Sequence, residues 1–269
     1  MSGRAHGRRQ TRLRIARIGG VALIAGVWAV SARLIDASII LPGPLETLAR
    51  LWSEMITVDF SRHLAATLIR GALGFLLAFF LGAGWGLLSG ARRLAGAVLD
   101  PMLILIRATP VIAVILLALI WFRSSFAPVF VTVLMVLPVV VENVAAGTRA
   151  ASGDLREMAA LFRVSRRRQT RDLLLPALRP YLFASAHSGL GMAFKVTVAA
   201  EVLVQPTWAL GGAMQEARFY LDTPRILALT VSVIGVSALA ELFLRAIERT
   251  SVARVGRSSR PTRAREAPG

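Results

Sequence analysis

Ionisable residues interrupt long apolar stretches of this sequence, among them Arg107, Glu142, His187, Lys195 and Glu201. A charge held in hydrocarbon is costly, so such groups face a bundle interior or a water-filled path, or they neutralise one another. Lys195 is the sole lysine among 32 basic residues and sits near the middle of its apolar run, where an unpaired ammonium costs most. For an anionic solute, Lys195 and Arg107 are the candidates to line a path. The competing expectation is mutual neutralisation, for example of Lys195 by Glu142. Lys195 and Glu201 are six residues apart, which on a helix places them on different faces. A lone histidine such as His187 suits a local hydrogen bond as well as a path. Other chemistries are excluded. There is no cysteine for a thiol nucleophile, a disulfide or a zinc–thiolate site, and three scattered histidines make no metal cluster. A P-loop needs Gly-Lys-Ser/Thr, but the one lysine follows Phe194 inside an apolar run, so the chain carries no nucleotide-hydrolysing motif of its own.

The elements that must position these groups are set by composition. Of 269 residues, 55% are hydrophobic and 17% charged, against about 25% charged in soluble domains. Six apolar runs, at about 15–32, 65–88, 102–122, 127–146, 181–204 and 226–247, each approach the roughly 20 residues that cross a bilayer as a helix. The first has a basic start but exceeds a signal-peptide core and lacks a clean A-x-A-like cleavage site, so it reads as a retained helix. With the N-terminus inside, 23 of the basic residues fall in cytoplasmic segments, 6 in outer connections and 3 within spans. That asymmetry predicts six crossings with both termini inside. The net charge of +17 is therefore read as membrane orientation and lipid contact, not nucleic-acid binding. The basic ends, 1–14 and 248–269, read as solvated tails. Segment 41–55 spaces Leu45, Leu48, Leu51, Trp52 and Met55 as a helical stripe, expected to lie on the outer membrane surface or to pack on the bundle. Glycines crowd the second run, where small residues let helices approach closely. Pro110 and Pro138 are expected to kink the third and fourth.

The inner connection 147–180 is too polar to span and too patterned for a plain linker. Ser152 or Asp154 suits a helix start, and Glu157 falls in the first turn, where negative charge complements the helix dipole. Met158, Leu161 and Phe162 give an apolar face, and Arg166, Arg167 and Arg168 follow. Two short helices with a few exposed apolar knobs make a docking surface. This loop resembles that of the inner-membrane permease subunits of binding-protein-dependent ABC importers, whose motif runs EAA, three residues, Gly, nine residues, I-x-L-P. Here Glu157-Met158-Ala159 opens it, and Leu173, Leu175 and Pro176 close it 16, 18 and 19 residues after Glu157. Met158 departs from the second position, and Arg163 stands where the family has Gly. LPGPLETLARLW before the second run, Arg70-x-x-x-Gly74, LDP at 99–101, Pro110 and AAEVL at 199–203 are similar to the nitrate, sulfonate and taurine branch, and the resemblance spans about 40–247.

The resemblance implies an all-α polytopic membrane protein of six transmembrane helices in the type I importer permease fold, N-in and C-in. A first helix and external segment (15–59) precede a core (60–247). It implies a multi-pass protein of the bacterial inner membrane that is not itself an enzyme and binds no cofactor. ATP and Mg belong to two copies of a separate ATP-binding subunit. An extracytoplasmic binding protein delivers a small anionic solute of the nitrate, sulfonate or taurine kind, and two copies of the permease complete the path. Glu157, Met158, Ala159, Ala160, Leu161, Phe162, Arg163, Leu175 and Pro176 are then the coupling surface. Ala159 and Ala160 add little bulk to a helix-in-groove approach, and Met158, Leu161 and Phe162 anchor it. Arg163 either strains a turn that the family's Gly permits or reaches an acidic group on the partner. Arg107, Glu142, His187, Lys195 and Glu201 are the candidate path. The rival classes are a small secondary carrier without an ATPase and a membrane scaffold subunit. Neither explains the spaced loop motif.

Overall fold

The computed structural model describes residues 2–152, 165 and 168–258, and every described element is helical. In chain order these are α1 (Ser2–Ile35), α2 (Pro44–Met55), α3 (Val58–Ala91), α4 (Arg93–Ala108), α5 (Val111–Trp121) and α6 (Ala127–Ser152). A π-helical turn (Gln169–Leu174) then leads into α7 (Leu175–Val204), α8 (Leu210–Phe219) and α9 (Thr223–Ser258). Four helices are long and apolar enough to cross a membrane: α3, α6 over Ala127–Ala151, α7, and α9 over Thr223–Thr250. The pair α4 and α5 reaches that length and apolarity only when taken together across its sharp bend, and α1 contributes a shorter apolar helix, Gly19–Ile35.

α3, α6 and α7 form the centre, and glycine is the reason they pack so closely. A Cβ on Gly74 would sit 2.7 Å from Thr132, one on Gly82 2.8 Å from Val140, one on Gly86 2.8 Å from Val144 and one on Gly90 2.6 Å from Thr148. Each pair has the same offset in sequence, so α3 and α6 run parallel and stay in register along their length. Backbone approach at this distance substitutes for a hydrophobic drive that lipid cannot supply. Val136, Val140 and Val144 of α6 fill the seam against Ala78 and Ala193, all fully buried. The opposite faces carry exposed Phe80 and Leu81 on α3 and Leu242 and Phe243 on α9, as a lipid-facing surface requires.

The third apolar run is not one kinked helix. It is broken into α4 and α5, which meet at 97°. Pro110 has no N–H to give Ile106 and pushes the residue before it out of the helical region. Thr109 is accordingly extended (φ −76°, ψ 125°), and both its N–H and its hydroxyl close on the Leu105 carbonyl. Pro110 then serves as the N-cap of α5. Pro138, by contrast, lies within an uninterrupted α6.

α2 keeps its apolar stripe but turns it outward. Leu45, Leu48, Trp52 and Met55 are exposed, while Thr47 on the other face is buried. The polar face is clasped to α9: Arg50 Nη2 lies 2.8 Å from Asp222 Oδ2 and Arg225 Nε 3.1 Å from Glu54 Oε1. α2 thus packs on the bundle through its polar face and leaves the apolar stripe exposed. α2, α8 and the starts of α3, α6 and α9 share one end of the bundle, here the far end. The connection between α6 and α7 occupies the other, the loop end.

Candidate translocation path and far-end polar network

α7 presents two contrasting faces. Ala184, Ser188, Lys195 and Ala199 are exposed at helical spacing, whereas Ala193, Phe194, Thr197, Val198, Ala200 and Glu201 are buried. Lys195 thus projects from an open face lined by small side chains, and among the described residues it has no hydrogen-bond or ion-pair partner. The neutralisation of Lys195 by Glu142 does not occur here. Glu142, on α6, instead takes a charge-assisted hydrogen bond from Arg107 Nη1 on α4, with about half of each side chain exposed. Arg107 is held for this by its place in the last turn of α4, just before the break at Thr109–Pro110.

The other two residues lie elsewhere. His187 Nε2 meets Glu248 Oε2 at 3.0 Å across the α7–α9 seam. This pair borders a polar cleft of about 500 Å³ lined also by Ser188, Glu241, Arg245 and Arg249. Glu201 is fully buried, which removes it from any open surface in this conformation. Its Oε1 accepts from Arg70 Nη1 at 2.8 Å. Its Oε2 accepts from the Thr67 hydroxyl at 2.8 Å and from the Gly211 N–H at 3.3 Å. Arg70 reaches further, to the carbonyls of Trp208 (2.7 Å) and Ser125 (3.2 Å).

Sequence reasoning singled out Glu201 but not Arg70, Thr67 or His63 as its company. The one available signal was that Arg70 and Glu201 are opposite charges in different apolar runs. Leaving either charge unpaired away from water is costly, which favours their pairing.

Of the expected coupling surface, Glu157, Met158, Ala159, Ala160, Leu161, Phe162 and Arg163 lie outside the described residues. Leu175 and Pro176 open α7, both exposed, with the proline in the first turn where its missing N–H costs nothing. Close by, a Cβ on Gly147 would fall 2.5 Å from the Tyr181 ring, so α6 and α7 are in direct contact where the loop leaves them.

The profile of a family described as binding-protein-dependent transport system inner membrane component matches residues 52–251. Among curated proteins, the chain is 29% identical over 233 residues to the putative aliphatic sulfonates transport permease protein SsuC of Bacillus subtilis, covering 85% of this chain and 83% of that one. It is 28% identical over 239 residues to the taurine transport system permease protein TauC of Escherichia coli, covering 86% of each. It is 26% identical over 192 residues to the nitrate import permease protein NrtB of Synechococcus elongatus, covering 67% of this chain and 68% of that one.

Proposed function

Because this chain belongs to the inner membrane components of binding-protein-dependent transport systems, we propose that it is the permease subunit through which an ATP-driven importer moves a small anionic solute. The observation that carries this is the family match across residues 52–251, which spans the central helices and the loop between α6 and α7. Relatives named for sulfonates, taurine and nitrate support a substrate with a compact oxyanion.

Six spans with both termini inside account for the helices. Counting the bent α4–α5 pair as one span and adding the shorter apolar part of α1 to the four long helices gives six, and the 23 basic residues in the segments assigned to the inside support the orientation. The loop end is then cytoplasmic and the far end extracytoplasmic. Residues 157–163, with Leu175 and Pro176, dock on an ATP-binding subunit, one for each of two permease copies. The far end receives a solute-binding protein. ATP and Mg stay on the ATP-binding subunit, and this chain holds no cofactor.

Lys195 is the group that meets the anion. It is the unpaired cation on an open face of small residues, so a passing oxyanion gains a partner there without breaking an existing pair. Arg107 and Glu142 flank the route as a neutral pair. The subunit assignment is tested by co-expressing this chain with a candidate P-loop ATPase subunit from the same genome. A stable complex whose ATP hydrolysis rises with the loaded binding protein is expected. Absence of a complex overturns the assignment.

A further inference from the structure

We infer that Arg70 and Glu201 are positioning residues for transport: the pair between the buried Glu201 and the largely covered Arg70 fastens α3, α7 and the start of α8 into one block that stays closed while solute passes. The inference rests on the permease reading. Its basis is the way α8 begins. The N-terminal N–H groups of a helix need partners from outside the helix, and the N-cap of α8 is Ala209, whose side chain can accept nothing. Instead, Ala209 N–H donates to His63 Nδ1 (2.9 Å), Leu210 N–H to Thr67 Oγ1 (2.9 Å) and Gly211 N–H to Glu201 Oε2 (3.3 Å).

Every cap is borrowed from α3 or α7. His63, Thr67 and Arg70 follow one another at four and three residues, a single face of α3 that points at this helix end. Gly211 completes the fit, since a Cβ there would meet the Val198 carbonyl at 2.5 Å.

Such a joint does not slide. Separating α3 from α7 would leave a desolvated carboxylate and guanidinium without partners and orphan three amides at once. The contacts that clasp α2 to α9 have another character. Arg50 with Asp222 is a partly exposed pair that water can replace at little cost, and Arg225 with Glu54, though less exposed, involves no backbone amide of a helix end among the described residues. Alternation at the far end therefore uses the α2–α9 clasp as its yielding seam, and the α3–α7–α8 block moves as a body.

The test uses the complete transporter with its ATPase and binding protein in vesicles. Wild-type ATP-dependent uptake is recorded first, and its absence would count against the permease reading and not against this pair. Glu201→Gln keeps acceptors for Gly211 and Thr67 and deletes the charge opposite Arg70. Arg70→Gln deletes the other charge, and Arg70→Lys retains it. Assembly is expected to persist in Glu201→Gln and Arg70→Gln, with ATP hydrolysis in the absence of binding protein raised at least threefold and uptake reduced at least tenfold. Arg70→Lys is expected to recover at least half of the coupling ratio. Wild-type uptake and coupling in both Gln variants overturns the inference. So does loss of assembly in all three, which would make the pair a requirement of folding alone.

Discussion

The shared register of α3 and α6 makes a sharp prediction at Gly90. A Cβ built there lies 2.6 Å from Thr148 Cβ and 2.8 Å from the Ala145 carbonyl. Neither obstacle is the free end of a flexible side chain. Thr148 is held by its hydroxyl on the Val144 carbonyl (2.8 Å), and Ala145 is backbone. Relieving the overlap requires α3 and α6 to separate by about 1 Å at this level, where carbon contacts are normally at ~3.5–4.0 Å. Overpacking of this kind costs about 1–3 kcal/mol. Gly84, six residues away on the same helix, is the internal control, because a Cβ there meets nothing within 4 Å. Gly84→Ala removes only glycine's helix penalty and gains about 0.5–1 kcal/mol. The same gain applies at Gly90, so the two alanine variants differ by the overpacking cost, about 1–3 kcal/mol, which at about 2–4 °C per kcal/mol for a chain of this size is several degrees in midpoint. Thermal unfolding of the purified protein in one detergent measures it, with Gly84→Ala above wild type and Gly90→Ala below. Equal midpoints for the two variants would refute the close parallel seam.

Further outcomes follow from the site. Lys195→Met preserves length and helix propensity while deleting the unpaired charge; assembly should persist and uptake of the anion should fall at least tenfold, as radiolabelled flux into vesicles will read, whereas unchanged flux removes Lys195 from the path. Glu157→Lys reverses the charge at the start of the coupling segment and should reduce co-purification with the ATPase. Arg163→Gly should weaken that complex more at low salt than at high salt if the guanidinium reaches an acidic groove; indifference at both removes the anchor. Because the chain has no native cysteine, single cysteines placed at Ser53 and at Ser152 should react with an impermeant maleimide from opposite sides of the membrane, and labelling from the same side would contradict the six-span topology.

The long spans were legible because their signal is local. α3, α6, α7 and α9 are runs of apolar residues long enough to cross, and no tertiary detail was needed to find them. The break between α4 and α5 was half legible. Pro110 announces a lost hydrogen bond, but the 97° turn depends on where α5 finds its packing, with Val114, Ile115 and Ala118 against Val131 and Ala200. The amphipathic spacing of α2 was plain, yet which way its stripe faced was decided by Asp222 and Arg225, far along the chain. Glu142 presents the same difficulty. Both Lys195 and Arg107 could have neutralised it, and the choice fell to Arg107 because α4 ends beside α6. The Arg70–Glu201 pair joins residues 131 apart in sequence, a distance over which periodicity carries no information.

The measurement that bears most directly on the central claim is solute uptake into proteoliposomes holding this chain and its ATPase, with ATP inside and the loaded binding protein outside. The account predicts accumulation of the anion that requires ATP, the ATPase and the binding protein together, and that stops when any one is withheld. Accumulation driven by an ion gradient, with the ATPase absent and ATP omitted, would contradict it.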